Sequence, residues 1–197
     1  MNHHKTLWIT TTAVLIALVV LAQLLTYAIP AGALIPTPLG PIRLSQFFTG
    51  SLVNLILIVG AGAAGFGSAS IAALISPVLA ALLGVIPGGI PQMIPVVMIG
   101  NLIIVAIVWL CFKISTDLVR AGGIVLKILG VIVGAAAKAV FLWAATAKLI
   151  VPLFNVKPKI AAQIGILMSW PQAVTALVGG ILALMVLPAL KIGAKNR

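Results

Sequence analysis

The chain has one acidic residue, Asp117, and no Glu, among 197 residues that include twelve Lys and Arg. That scarcity removes paired-carboxylate acid–base chemistry and carboxylate-rich metal sites. It has one cysteine, Cys111, inside the apolar run 103–112, so no disulfide or thiolate cluster can form within the chain, and Cys111 reads as a small packing residue. Its two histidines, His3 and His4, stand at the very start, where a disordered tail is expected rather than a metal site. Without His and Asp or Glu at catalytic spacing, a metalloprotease or serine hydrolase has nothing to activate water or orient a base. No catalytic residue, cofactor or metal is expected, and the chain is not read as an enzyme. A G-x-x-x-x-G-K-[ST] sequence is missing as well: the glycine run Gly60-Ala-Gly-Ala-Ala-Gly65 lacks the lysine and flanking strand that cradle phosphate, and it reads instead as a tight, closely packed connection between two helices.

What is present is apolar surface. The chain is 63% hydrophobic with a mean hydropathy of +1.34, and long apolar runs recur from residue 7 to residue 190, so the bilayer is its solvent. The formal charge of +11 would suggest nucleic acid in a water-soluble protein. Here the bases flank hydrophobic spans and suit anionic lipid headgroups. The first run follows Lys5 for about 20 residues with no A-x-A-like end, which fits a retained helix rather than a cleaved signal.

Helices are expected over residues 7–29, 46–62, 68–86, 92–114 and 122–151. The last apolar segment, 160–190, is too long for one straight crossing and is interrupted at Trp170-Pro171, so a leading piece is followed by a sixth helix from Pro171. The loop 30–45 holds four of the twelve prolines, Pro30, Pro36, Pro38 and Pro41, and cannot be helical throughout. Residues 87–91 and 152–159 form two more irregular links, and 115–120 a polar one. The expected fold is an all-α integral membrane protein: a single domain, 1–197, forming a six-transmembrane-helix bundle with a long external first loop.

Alternating six helices gathers Lys5, Lys113, Arg120, Lys127, Lys191, Lys195 and Arg197 on one side and leaves Arg43, Lys148, Lys157 and Lys159 near the other. The positive-inside rule makes the first side cytoplasmic, with both termini there. Three Pro- and Gly-rich links then meet on the outer face. Irregular backbone at that depth either connects helices or closes over a buried pocket.

Polar side chains inside hydrocarbon are costly and few: Asn54, Gln92, Asn101, Lys138, Trp170 and Gln172 are the candidate ligand contacts. Asn54 and Asn101 can equally fasten the bundle by interhelical hydrogen bonds. Gln92, Gln172 and Trp170 can equally be interfacial. Lys138 lies mid-span, where an ammonium costs roughly 2.5–3.5 kcal/mol on insertion scales, and no carboxylate accompanies it; Asp117 belongs to the polar link, with Lys113 and Arg120 as its neighbours. Lys138 is left to snorkel, to shed its proton, or to receive an anionic ligand group. A ligand met by amides, an aromatic ring and a lysine is neutral or anionic, pantothenate-like or flavin-like rather than thiamine-like, although a cation could still rest on Trp143 or Trp170.

Ala13 and Ala17 stand four apart in Ala-Val-Leu-Ile-Ala within the first helix, with Ala22 a possible extension, a spacing that lets another helix approach closely. With the chain length, six expected helices, the long first loop and the stretch Phe47-Phe-Thr-Gly-Ser-Leu-Val-Asn54, the whole chain resembles the substrate-binding S component of an energy-coupling factor (ECF) type vitamin transporter. The resemblance implies a prokaryotic plasma-membrane protein that captures a vitamin or related micronutrient from outside. It further implies partners: a transmembrane coupling subunit, met through Ala13 and Ala17, and two ATPase subunits that hydrolyse ATP on the importer's behalf. A structural subunit without a ligand and a stand-alone secondary transporter are the alternatives; the latter would normally carry intramembrane carboxylates.

Overall fold

The computed structural model describes residues 3–30, 32–37, 41–85, 90–118 and 120–195. The helices follow the apolar runs, because in hydrocarbon a backbone must satisfy its own hydrogen bonds. They are α1 (His3–Leu24), α2 (Leu44–Val59), α3 (Phe66–Leu82), α4 (Met93–Ser115), α5 (Arg120–Ala145), the single turn α6 (Val151–Leu153), α7 (Pro158–Leu167) and α8 (Trp170–Lys195). Helix α1 starts at His3, so the two histidines head a helix and are not a disordered tail. A 3-10 turn, Leu25–Ala28, tightens its other end.

Among the described residues five stretches are long and apolar enough to cross a membrane, 5–28, 44–64, 93–115, 121–153 and 158–190, while α3, at 17 residues, is shorter. The chain is therefore a membrane helical bundle. Its outer surface is apolar: Ile124, Val125, Ile128, Ile132, Val133 and Val140 of α5 are all exposed, the inverse of a water-soluble helix bundle.

The long first loop contains one element beyond the all-helical expectation, a two-stranded antiparallel ribbon of β1 (Leu34–Ile35) and β2 (Ile42–Arg43) that pairs Leu34 with Arg43 and Ile35 with Ile42. Of the link at 87–91, residues 87–89 lie outside the described residues, as do Pro38 and Arg197.

The expected tight connection between the second and third helices is present. Residues 60–64 continue α2 as a widened π-helical turn, and Gly65 then reverses the chain at φ +88°, a conformation that L side chains rarely adopt. At the far end of α5 a second π turn, Thr146–Ile150, leads into α6. The last apolar segment divides as expected, into α7 and α8, at Trp170.

Helix α8 packs against α2 and α5, α4 against α3 and α5, and α1 against α2 and α3. The main core, with Leu57, Ile58, Ile104, Val105, Val108, Val131 and Ala183, fills the middle. A second cluster of Met93, Leu142, Ile164 and Met168 closes the end where α7 lies. Since lipid is as apolar as leucine, close packing rather than water exclusion holds such helices together. Gly179 shows how close: a Cβ there would stand 2.5 Å from the Ser51 carbonyl oxygen and 2.7 Å from the Leu55 nitrogen, backbone against backbone. Cys111 is free and faces Gly130, whose Cβ would come within 2.6 Å of the cysteine Cβ, so it does serve as a small residue at the α4–α5 contact.

Candidate ligand cavity

A cavity of about 520 Å³ opens between the ends of α1, α2 and α3, the first loop and the α7–α8 joint. That volume suits a small organic molecule. On its wall Lys138 of α5 is 3% exposed, Asn54 of α2 1% and Asn101 of α4 2%. The Lys138 Nζ donates to Asn54 Oδ1 at 2.7 Å and to Asn101 Oδ1 at 2.8 Å.

Both amides are held by their nitrogens. Asn54 Nδ2 donates to the Gly50 carbonyl one turn earlier, at 2.8 Å. Asn101 Nδ2 donates to the Ala73 carbonyl of α3, at 3.4 Å. That carbonyl is available because the residue four positions on is Pro77, inside α3, which has no N–H to offer it. A backbone carbonyl can only accept, so each nitrogen faces the backbone and each Oδ1 must face the lysine. In its protonated form Lys138 has three N–H groups; the asparagines take two, and one remains.

Higher on the wall, Gln23 of α1 donates through Nε2 to the Ser76 carbonyl at 2.8 Å and to Ser76 Oγ at 3.3 Å. The same constraint orients this amide, and its Oε1 is buried without a partner. Thr26 and Thr49 share a hydrogen bond of 2.5 Å, and the Tyr27 hydroxyl donates to the Leu83 carbonyl. The carbonyl of Leu167, the last residue of α7, lacks a helical partner; Gln46 Nε2 donates to it at 3.4 Å and Gln172 Nε2 at 3.1 Å, so two side chains tie the α7 end across the opening. Arg43, exposed, lies at the rim. Asp and Glu are absent from the wall.

Of the six candidate contacts, Asn54, Asn101, Lys138 and Gln172 line this cavity, whereas Gln92 and Trp170 do not. Gln92 precedes the first residue of α4 and Trp170 is the first of α8, both half-buried outside the cavity. Trp143 is 50% exposed on the outer face of α5 and offers no ring to a ligand there. Gln23, Ser76, Thr26, Thr49 and Gln46 line the cavity unanticipated. Gln23 carried the same signal as Asn54, a lone amide in an apolar helix, while Arg43 was counted only as loop charge.

Asp117 forms no ion pair among the described residues; its partner is the Thr116 hydroxyl, at 3.4 Å. On α1, Ala13 and Ala17 are exposed on the outer side. Ala22 is 3% exposed, packed inward, and does not extend that surface. A second cavity, about 590 Å³, opens at the opposite end of the bundle. Although larger, it lacks a buried polar cluster.

Residues 8–191 match the family model described as ECF transporter, substrate-specific component. No curated protein and no solved structure shows a match to the chain. The match covers nearly the whole length, and the chain belongs to that family.

Proposed function

We propose that this substrate-specific component of an ECF transporter captures an anionic micronutrient, pantothenate-like or flavin-like, in the 520 Å³ cavity and delivers it by docking through α1. The observation that supports the reading is the position of Lys138, its Nζ held by two asparagine oxygens at the cavity wall among residues that include Arg43 but no carboxylate; in its protonated form one N–H is left for a ligand. Two cations without a counter-ion favour a carboxylate or phosphate group, and desolvation strengthens that attraction. Gln172, Asn54 and Asn101 complete the binding set.

In this reading α3 is a sixth crossing. At 1.5 Å per residue its 17 residues span about 25 Å, near the lower limit for a bilayer. Both termini are cytoplasmic, and the first loop and α7 face outward over the cavity. The protein resides in a prokaryotic plasma membrane. Ala13 and Ala17 meet a coupling subunit, and two ATPases supply the energy that this chain, a transporter subunit rather than an enzyme, does not generate.

A thermal-shift screen of the detergent-purified chain against water-soluble vitamins and their precursors tests the reading. Stabilisation by one anionic compound, weakened in Lys138→Ala and Asn101→Ala, is the expected result. Stabilisation only by cationic compounds, or no response from a demonstrably folded protein, overturns it.

A further inference from the structure

The second cavity has a different chemistry. Among its thirteen lining residues only Lys113, Thr116 and Lys127 are polar; the rest include the π turn at the end of α2, Trp109, Phe112, Leu184 and Leu187. It lies between α2, α4, α5 and α8, at the end of the bundle where α1 begins and α8 finishes. Phe66 and Trp109 meet there, tilted, with ring centroids 5.2 Å apart, and Trp8 is half exposed on α1 nearby, the pattern of aromatic residues at headgroup depth.

The two lysines come from different helices, Lys113 near the end of α4 and Lys127 two turns into α5. Neither forms an ion pair with any described residue. The Lys113 ammonium rests over the Trp109 ring, 5.1 Å from its centroid, which holds the charge beside the groove. Asp117, the one acid of the chain, is hydrogen-bonded to Thr116 instead. An unneutralised pair of cations over an apolar cleft at headgroup depth calls for a molecule with an anionic head and an apolar body.

We propose that this groove is a binding site for an anionic phospholipid of the inner leaflet. The phosphodiester lies between Lys113 and Lys127, and an acyl chain lies along Phe112, Leu184 and Leu187. A water-soluble anion would use the lysines but leave that apolar wall bare. A zwitterionic lipid would fill the wall but bring its own ammonium against the lysines. At roughly fivefold per basic residue near an anionic surface, the pair corresponds to a preference of about 30-fold for anionic over zwitterionic lipid.

The test uses the full chain, with Trp8, Trp143 and Trp170 replaced by Phe so that Trp109 is the one fluorophore, in phosphatidylcholine vesicles. The brominated-chain probe, either phosphatidylglycerol or phosphatidylcholine, is titrated in over the same range of mole fractions. The expected result is half-maximal quenching of Trp109 at a roughly 30-fold lower fraction of phosphatidylglycerol than of phosphatidylcholine. That ratio should fall to near one in Lys113→Gln/Lys127→Gln, persist in Lys113→Arg/Lys127→Arg, and be unchanged in Lys5→Gln, a lysine at the same end outside the groove. Equal quenching by the two lipids in the parent chain overturns the proposal and needs no lysine variant. A drop in Lys5→Gln as large as in the groove pair also overturns it, since the attraction is then diffuse. Relief of phosphatidylglycerol quenching by millimolar inorganic phosphate, but not by chloride at equal ionic strength, overturns it in favour of a soluble anion.

Discussion

Replacing Lys138 by Met keeps an unbranched side chain one atom shorter and removes the ammonium. In the folded protein, Asn54 Oδ1 and Asn101 Oδ1 lose the donor they share, and each newly unpaired buried oxygen costs about 1–3 kcal/mol. Against that total of about 2–6 kcal/mol, the roughly 2.5–3.5 kcal/mol penalty of keeping an ammonium in the bundle disappears. The two effects largely cancel, so the variant folds with a small change in Tm. Binding behaves differently, because a charge-assisted hydrogen bond to a ligand anion is worth about 1.5–3 kcal/mol, a factor of about 10 to 150 in Kd. The informative assay is calorimetric titration with a matched pair of ligands, a carboxylate and its carboxamide. The parent binds the carboxylate more tightly. In the variant the two asparagine oxygens are bare acceptors that repel a carboxylate and accept from a carboxamide N–H, so the preference reverses. A folded Lys138→Met that retains the parent's carboxylate preference refutes the assignment of the lysine as the anion's partner.

Further substitutions separate the cavity from the proposed docking face and from the packing. Ala13→Leu/Ala17→Leu adds bulk on the exposed side of α1; ligand-induced thermal stabilisation is unchanged, while uptake by cells carrying the complete transporter falls at least about 10-fold, as expected when a small-residue contact between helices is blocked. Gly179→Ala forces its methyl group against the Ser51 carbonyl and Leu55 nitrogen, costing about 1–3 kcal/mol or more and lowering Tm. Because the same methyl would stand 2.8 Å from Asn54 Cβ, ligand affinity falls with it. Arg43→Gln removes an exposed rim cation, so stopped-flow association slows a few-fold at low salt and converges with the parent at high salt.

How much of this was legible in the sequence differs between depth and direction. Depth along a helix is set by position in an apolar run, and cost in hydrocarbon singles out any amide or ammonium there, which is why Asn54, Asn101 and Lys138 stood out. The direction a side chain faces is another matter. These helices are apolar on nearly all sides, so no periodicity marks an inner face. The facing is decided by contacts such as Gly179 on the α2 backbone, which exist only after two helices have met. Gln92 and Trp170, at helix starts, had a correct depth and no stated direction, and they fall outside the cavity. The two-residue strands of the first loop are too short for any alternation to show. The Ala73 carbonyl that anchors Asn101 could have been anticipated, since Pro77 inside an apolar helix always releases the carbonyl four residues earlier.

Helix α1 joins the cavity to the proposed docking face. Gln23 reaches inward to Ser76 and lines the cavity, while Ala13 and Ala17, two to three turns away, face outward. Thr26 and Tyr27, on the turn that ends the same helix, are hydrogen-bonded to Thr49 of α2 and to the Leu83 carbonyl beyond α3. A ligand that accepts from Lys138 and packs against Gln23 would therefore connect α5 with α1 through its own body, adding a tie at the cavity end of α1. Holding a helix at one end narrows the range of positions open to its whole length, because an α-helix of this size moves nearly as a rigid rod. The outward alanines would then be presented in one orientation when the cavity is filled and in several when it is empty. Differential binding of that kind is all that is needed for a loaded subunit to be favoured at the coupling partner.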